Sequence, residues 1–330
     1  MPLTGPLVDR FGRTVKKLRV SLTDRCNFRC VYCMPEEAEF MPRPELLTVD
    51  EIERAVRVMA SMGVDKVRLT GGEPLMRPEV VEITRRVKGI PGIRTVSLTT
   101  NGYMLPHRAG ALKEAGLDSV NISLDSLDRE RFRVLTRRDY LGHVLAGIEA
   151  ADAAGLRPLK INCVVMRGVN DREVPAFLEW ARKTPYEVRF IEFMPLDADN
   201  IWERGRVYTL EEILEVARTI GPVAEIGEDK ASPARMYRFE DGLGTFGVIA
   251  SVSEPFCADC DRVRLTADGK IRNCLFSTGE TDVRDLLRGG EDDAALERRL
   301  RESVWSKWAG HLINQPGFQK PERTMHRIGG

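Results

Sequence analysis

Histidine is scarce in this chain, with four among 330 residues. That scarcity argues against centres built mainly on imidazole. No stretch approaches the roughly 20 apolar residues of a membrane span, and the opening MPLTGPLVDRFGR has no apolar signal core, so neither membrane insertion nor export is expected. Charge of one sign is also missing, since Lys plus Arg and Asp plus Glu each number 50. A balanced surface is no polyanion trap, which argues against nucleic acid as a partner and leaves room for a local cationic pocket. There is no G-x4-G-K-[ST] phosphate loop, no solenoid-type repeat and no low-complexity segment. The seven cysteines are odd in number and clustered, unlike a disulfide framework. Reduced thiols and an oxygen-sensitive group both fit the cytoplasm.

Six of those cysteines form two triplets. Cys26, Cys30 and Cys33 follow the pattern C-x3-C-x2-C on one short stretch. Three thiolates are one fewer than a closed zinc site or an all-cysteine cluster requires. A [4Fe-4S] cluster held this way keeps one iron open to another ligand; the alternative is a zinc loop completed by a distant histidine. Cys257, Cys260 and Cys274 repeat the arithmetic. A zinc ribbon would want a second C-x2-C pair, so a second cluster with an open iron is expected. Cys163 falls on the apolar side of a strand pattern and reads as a buried core residue.

Strand-like runs over 17–23, 66–70, 95–100, 119–124, 159–165 and 187–193 alternate with helical patterns over 50–62, 78–88, 107–115, 140–154 and 173–183. Thr48 is a plausible cap for the first helix. Such alternation predicts a parallel α/β sheet, open or curled into a partial barrel. A second region has a helix over 209–220, strands over 235–239, 245–251 and 263–265, and helices over 281–287 and 294–308. The boundary is blurred over 195–206.

Every second strand residue is polar or cationic: Arg19, Ser21 and Thr23; Arg68 and Thr70; Ser97 and Thr99; Asn121, Ser123 and Asp125; Lys160 and Asn162; Arg189. The intervening positions are apolar. Four unpaired cations in a dry core would be prohibitive, so the polar face must meet water or a large anionic ligand. A curled barrel with a binding cavity inside satisfies this, and a sheet with one solvent-exposed face is the alternative. Arg189 lies on the opposite parity from Glu192 and Met194, which a bulge or the strand end would explain. Gly71-Gly72-Glu73-Pro74 follows the second strand at the end where parallel α/β folds place their sites, and two glycines allow close backbone approach to a ligand. Arg262 and Arg264 share one side of a short strand, suited to a phosphate-bearing substrate or to plain solvation.

The first triplet followed by this glycine-rich turn resembles the radical S-adenosylmethionine (SAM) superfamily. The resemblance implies that the open iron binds SAM, and that Tyr32, Gly72, Ser123 and Met194 contact it; taken alone, Met194 would read as core. Further motifs narrow the likeness to the GTP 3′,8-cyclase family (molybdenum cofactor biosynthesis protein A). They are Asp9-Arg10-Phe11-Gly12-Arg13, Leu98-Thr99-Thr100-Asn101-Gly102, the second triplet with Arg262 and Arg264, and the closing Gly329-Gly330. The implied architecture is a partial (β/α)6 TIM-type barrel over 1–205, with a smaller α+β region over 206–330 for the second cluster and GTP. The implied reaction removes the ribose 3′ hydrogen of GTP with a 5′-deoxyadenosyl radical and joins C3′ to guanine C8. Arg19, Arg68, Thr99, Lys160, Arg189, Arg262 and Arg264 match GTP-contacting positions. Arg19, Arg262, Arg264, Gly329 and Gly330 match catalytic ones.

The family also implies an electron donor of flavodoxin or ferredoxin type, a downstream cyclic pyranopterin monophosphate synthase and a homodimer. The tail over 319–330 reads alone as a disordered polar end, whereas the family threads it into the pocket. Two other functions are compatible with parts of the sequence. A peptide-modifying two-cluster radical SAM enzyme would commonly carry more cysteines in a longer C-terminal region. A zinc-binding interaction or nucleic-acid module would need complete four-ligand sites and usually a basic surface.

Overall fold

A computed structural model describes residues 1–227, 231–290 and 292–330. Six strands build its centre: β1 (Lys17–Ser21), β2 (Lys66–Thr70), β3 (Thr95–Thr100), β4 (Ser119–Ser123), β5 (Leu159–Val165) and β6 (Glu187–Glu192). They lie in chain order, each parallel to the next, which is the partial-barrel arrangement the alternation predicts.

The helices between them are α1 (Val49–Ser61), α2 (Val80–Gly89), α3 (Ala109–Glu114), α4 (Arg129–Thr136), α5 (Leu141–Ala153) and α6 (Val174–Lys183). Thr48 caps α1 in a capping box, its hydroxyl taking the Glu51 amide while the Glu51 carboxylate takes the Thr48 amide. α4 is absent from the sequence-based expectation because half of its run RERFRVLT is charged. It needs Phe132 and Leu135 buried to hold it in place.

The core follows the parity of the strands. Val20, Leu22, Val67, Leu69, Val96, Leu98, Val120, Ile122, Ile161 and Val165 are fully buried under the helices. Each such side chain contributes about 1.5–3 kcal/mol by leaving water. Cys163 is buried with them, as its strand position implies. The polar set points to the other face.

Residues 206–330 extend the same sheet instead of forming one of their own. They add α7 (Leu210–Ile220), β7 (Val223–Ile226), β8 (Arg235–Phe239), β9 (Thr245–Ile249), β10 (Arg262–Leu265), β11 (Lys270–Arg272), β12 (Thr281–Asp282), α8 (Arg284–Arg288), α9 (Asp293–Trp305) and α10 (Met325–Ile328). The order is β12-β11-β10-β1-β2-β3-β4-β5-β6-β9-β8-β7. β10 runs parallel to β1 and β9 parallel to β6. Both edges of the six-stranded core, which would otherwise offer unpaired backbone groups, are covered. The β1–β10 pairing has a functional consequence, because it sets Arg264 directly beside Arg19.

Candidate active site

The polar face of the sheet lines one cavity with the residues that follow the strand ends. Arg19, Arg68, Thr99, Asn121, Ser123, Asp125, Asn162 and Arg189 reach it from β1–β6 and the turn after β4; Arg262 and Arg264 reach it from β10. All six cysteines of the two triplets line it, together with Tyr32, Gly72, Met194 and Gly330. Residues more than 240 positions apart therefore share one chamber.

The loop after β1 carries the first triplet. It is held by the glycine-rich turn after β2: the Gly72 amide donates to the Thr23 carbonyl at 2.7 Å and the Glu73 amide to the Arg25 carbonyl at 2.7 Å. A Cβ at Gly72 would stand 2.4 Å from the Asp24 oxygen and 2.6 Å from that of Arg25. The glycine is thus required by the approach of the cysteine loop itself, a reason sequence inspection did not supply. Glu73 is buried and accepts from the Leu75 and Asn101 amides and the Thr100 hydroxyl at 2.7–2.9 Å. Burial lifts its pKa to about 7 despite those bonds.

Burial also pushes the Cys26 thiol up to about 12, with Glu73 adding to the effect, and raises Cys30 and Cys33. Such thiols are poor free nucleophiles, whereas a bound metal ion would deprotonate them outright. The thiols also raise one another, so they sit as a group. The Phe28 amide donates to Cys26 Sγ at 3.4 Å, and Asn101 Nδ2 lies 3.8 Å from it. Three grouped thiols with backbone donors facing sulfur suit an iron–sulfur cluster. Among the described residues no three His, Cys, Asp or Glu side chains could hold one metal ion. A cubane asks for wider spacing, since each thiolate takes a different iron.

The histidines, remote in sequence, come closer in space. The tail brings His326 beside Cys33, its backbone amide facing the thiol, and His311 lines the cavity near Cys257. Tyr32 donates its hydroxyl to Asp125 Oδ2 at 2.6 Å. Burial raises the Asp125 carboxyl to about 6.

Around the second triplet the surroundings are cationic. Arg262 Nη2 and Lys307 Nζ each lie 3.5 Å from Cys260 Sγ. Burial pushes that thiol up, but Arg262 and Lys307 outweigh it and bring it to about 7. Lys307 is buried just after α9 and donates to the Cys260 and Arg262 carbonyls at 2.8 Å. Nothing in the sequence pattern singles it out.

Arg19 is pushed well down, first by burial and then by Arg264, Arg68 and Arg262; Arg264 and Arg68 are also lowered. Guanidinium groups remain charged, so the crowding is stored repulsion that a polyanion would relieve. Lys160 does not line the cavity, but Arg189 and Arg68 act on it, and burial with those charges lowers it to about 8. Arg189 is already paired with Glu187. β6 ends at Glu192, a buried residue at the cavity wall whose carboxylate takes the Leu210, Val252 and Ser253 amides. Met194 stands beyond the strand and is free of its alternation, which resolves the parity conflict through the strand end.

Several buried polar atoms in this chamber lack a protein partner: Asn121 Oδ1, Asn162 Oδ1, Arg262 Nε, Asn273 Oδ1 and His311 Nδ1. Unsatisfied buried atoms are rare unless a ligand or water completes them. The tail is ordered into the same place. Arg264 donates to the Gly329 carbonyl, and Gly329, at φ +87°, packs against Ser21 and Thr70.

Comparison with known proteins places this chamber in context. Residues 20–181 match the Radical SAM superfamily and residues 186–313 match the family described as Molybdenum Cofactor Synthesis C. GTP 3′,8-cyclase 2 of Mycobacterium tuberculosis is 51% identical, covering 100% of this chain and 94% of its own. GTP 3′,8-cyclase of Streptomyces coelicolor is 50% identical, covering 98% and 96%. Among solved structures, Streptococcus suis SuiB bound to S-adenosylmethionine superposes with TM-score 0.64 at 14% identity, over 92% of this chain and 68% of that one. Native anSMEcpe with bound AdoMet gives 0.59 at 15%, over 87% and 82%. At such identities these two speak for the fold alone.

Proposed function

We infer the function from one premise: this chain belongs to the GTP 3′,8-cyclase family of the radical SAM superfamily. It is a lyase that converts GTP to (8S)-3′,8-cyclo-7,8-dihydroguanosine 5′-triphosphate, the first step of molybdenum cofactor biosynthesis. A [4Fe-4S] cluster and SAM are its cofactors. The observation that carries the substrate to this chamber is the crowd of Arg19, Arg68, Arg262 and Arg264 on one polar sheet face. A triphosphate brings several negative charges, and convergent guanidinium forks offset its desolvation far better than one could.

The roles divide by wall. Cys26, Cys30 and Cys33 would hold the cluster that faces SAM. Tyr32, Gly72, Ser123 and Met194 line that end, with the Tyr32 side chain fixed by Asp125. When bound, the cluster and SAM supply one-electron radical chemistry at the ribose 3′ hydrogen. Cys257, Cys260 and Cys274 would hold a second [4Fe-4S] cluster, with the guanine base at or near its open iron. Arg19, Arg68, Arg262 and Arg264 grip the triphosphate, supported by Thr99, Lys160 and Arg189. That grip holds C3′ and C8 of one nucleotide in reacting geometry, a contribution of orientation. Gly329 and Gly330 close the chamber beside Arg264 and exclude water. An electron donor of flavodoxin or ferredoxin type, a cyclic pyranopterin monophosphate synthase downstream, a homodimer and a cytoplasmic setting complete the proposal. No helix among the described residues is long and apolar enough to cross a membrane.

The test is an anaerobic assay of reconstituted protein with dithionite, SAM and GTP. It follows 5′-deoxyadenosine and the cyclised nucleotide together by mass spectrometry. Both products, with about eight irons per chain, are expected. Deoxyadenosine without a GTP-derived product would remove the substrate assignment, and about four irons would remove the second cluster.

A further inference from the structure

The tail reaches the chamber through a device separate from the two glycines. Arg323 makes a two-pronged ion pair with Asp268, Nη1 to Oδ1 at 3.0 Å and Nη2 to Oδ2 at 2.8 Å. Its Nη2 also lies 3.0 Å from Glu280 Oε2. Asp268 sits in the turn between β10 and β11 and takes the Thr266 hydroxyl at 2.6 Å. Glu280 in turn pairs with the fully buried Arg272 of β11. The network thus binds the tail to the hairpin that carries Arg262 and Arg264 and leads into Cys274.

The chain between clamp and tip is a hydrogen-bonded helical turn. Thr324 is the N-cap of α10, its carbonyl accepting the Arg327 and Ile328 amides at 3.0 and 3.2 Å, and the Gly329 amide continues the turn to the Met325 carbonyl at 3.0 Å. His326 and Ile328 are buried in it. Arg327 ties the turn to the Glu39 carbonyl at 2.8 Å. A single helical turn therefore stands between Arg323 and the Gly329 carbonyl that meets Arg264. Sliding the tail by one residue at the clamp would carry that carbonyl away from the guanidinium.

We propose that Arg323, gripped by Asp268 and Glu280, is the positioning residue that sets the register of the tail and so places Gly329 against Arg264. The inference rests on the function proposed above. Arg323 is not among the residues that line the chamber; it acts through the tail.

The experiment compares the full-length holoenzyme with its Arg323→Gln, Asp268→Asn and Arg323→Lys variants. Three readouts are taken: hydrogen exchange over 319–330, iron and sulfide per chain, and the ratio of cyclised nucleotide to 5′-deoxyadenosine. Loss of a charge-assisted pair should speed tail exchange and lower cyclisation about ten- to hundredfold in Arg323→Gln and Asp268→Asn. Iron content and protection of the sheet should stay as in the wild type, and Arg323→Lys should recover a good part of both tail readouts. Wild-type tail exchange in Arg323→Gln would overturn the inference. So would a loss of iron and sheet protection in parallel with product, or no recovery with lysine. Tail exchange that responds as expected in a protein whose wild type forms no cyclised nucleotide would leave the clamp standing and remove the function it serves.

Discussion

Lys160 illustrates how a single residue carries the electrostatics of the whole face. Burial, then Arg189 and Arg68, hold its pKa near 8 in the free chamber, although Glu187 pulls the other way. A triphosphate favours the charged ammonium and would raise that value. GTP binding is therefore strongest below pH 8 and weakens as pH rises through it, because a proton must then be taken up. We expect KM for GTP to climb above pH 8 and Lys160→Met to flatten that limb; an unchanged limb in the variant would assign the titration to another group. Gly329 is constrained differently. A Cβ there would stand 2.9 Å from Ser21 Cβ and from Thr70 Oγ1, at a φ that costs other residues about 1–2 kcal/mol. Gly329→Ala should reduce cyclisation and deletion of Gly329 and Gly330 should reduce it sharply, with iron content unchanged. Full turnover by the truncated protein would exclude the tail from the reaction.

Turns and caps decide where the elements deliver these residues. The turn after β2 holds the first cysteine loop by backbone bonds that only a glycine permits, since the Asp24 and Arg25 oxygens occupy the space of a Cβ. Gly72→Ala should displace the loop and lower the iron count by about four per chain. Retention of all iron would mean that the loop adapts. By contrast, α1 lies outside the chamber. Removing its cap hydroxyl in Thr48→Ala should cost about 1 kcal/mol of stability, read as a lower urea midpoint. The ratio of cyclised product to deoxyadenosine should not move. These two variants separate the element that shapes the site from one that only supports the sheet.

Across the whole molecule, the sheet joins two kinds of surroundings in one chamber, with Glu73 and Asp125 near the first triplet and arginines with Lys307 near the second. Replacing Cys257, Cys260 and Cys274 together by serine should leave about four irons and retain deoxyadenosine formation while abolishing the cyclised nucleotide. Loss of both products would show that the second triplet also supports the first. The sequence by itself determined the six central strands, the buried parity of Val20, Val67, Val96 and Val120, and both cysteine triplets, because period-two alternation and thiol spacing are local properties of the chain. Family motifs added the positions expected to meet SAM and GTP. Tertiary structure alone decided that β10 lies against β1 and so doubles the guanidinium density at Arg19, since a pairing across some 245 residues leaves no local trace. It alone brought Lys307 to Cys260, His326 to Cys33 and Arg323 to Asp268. Each of those contacts joins segments that have no periodicity in common.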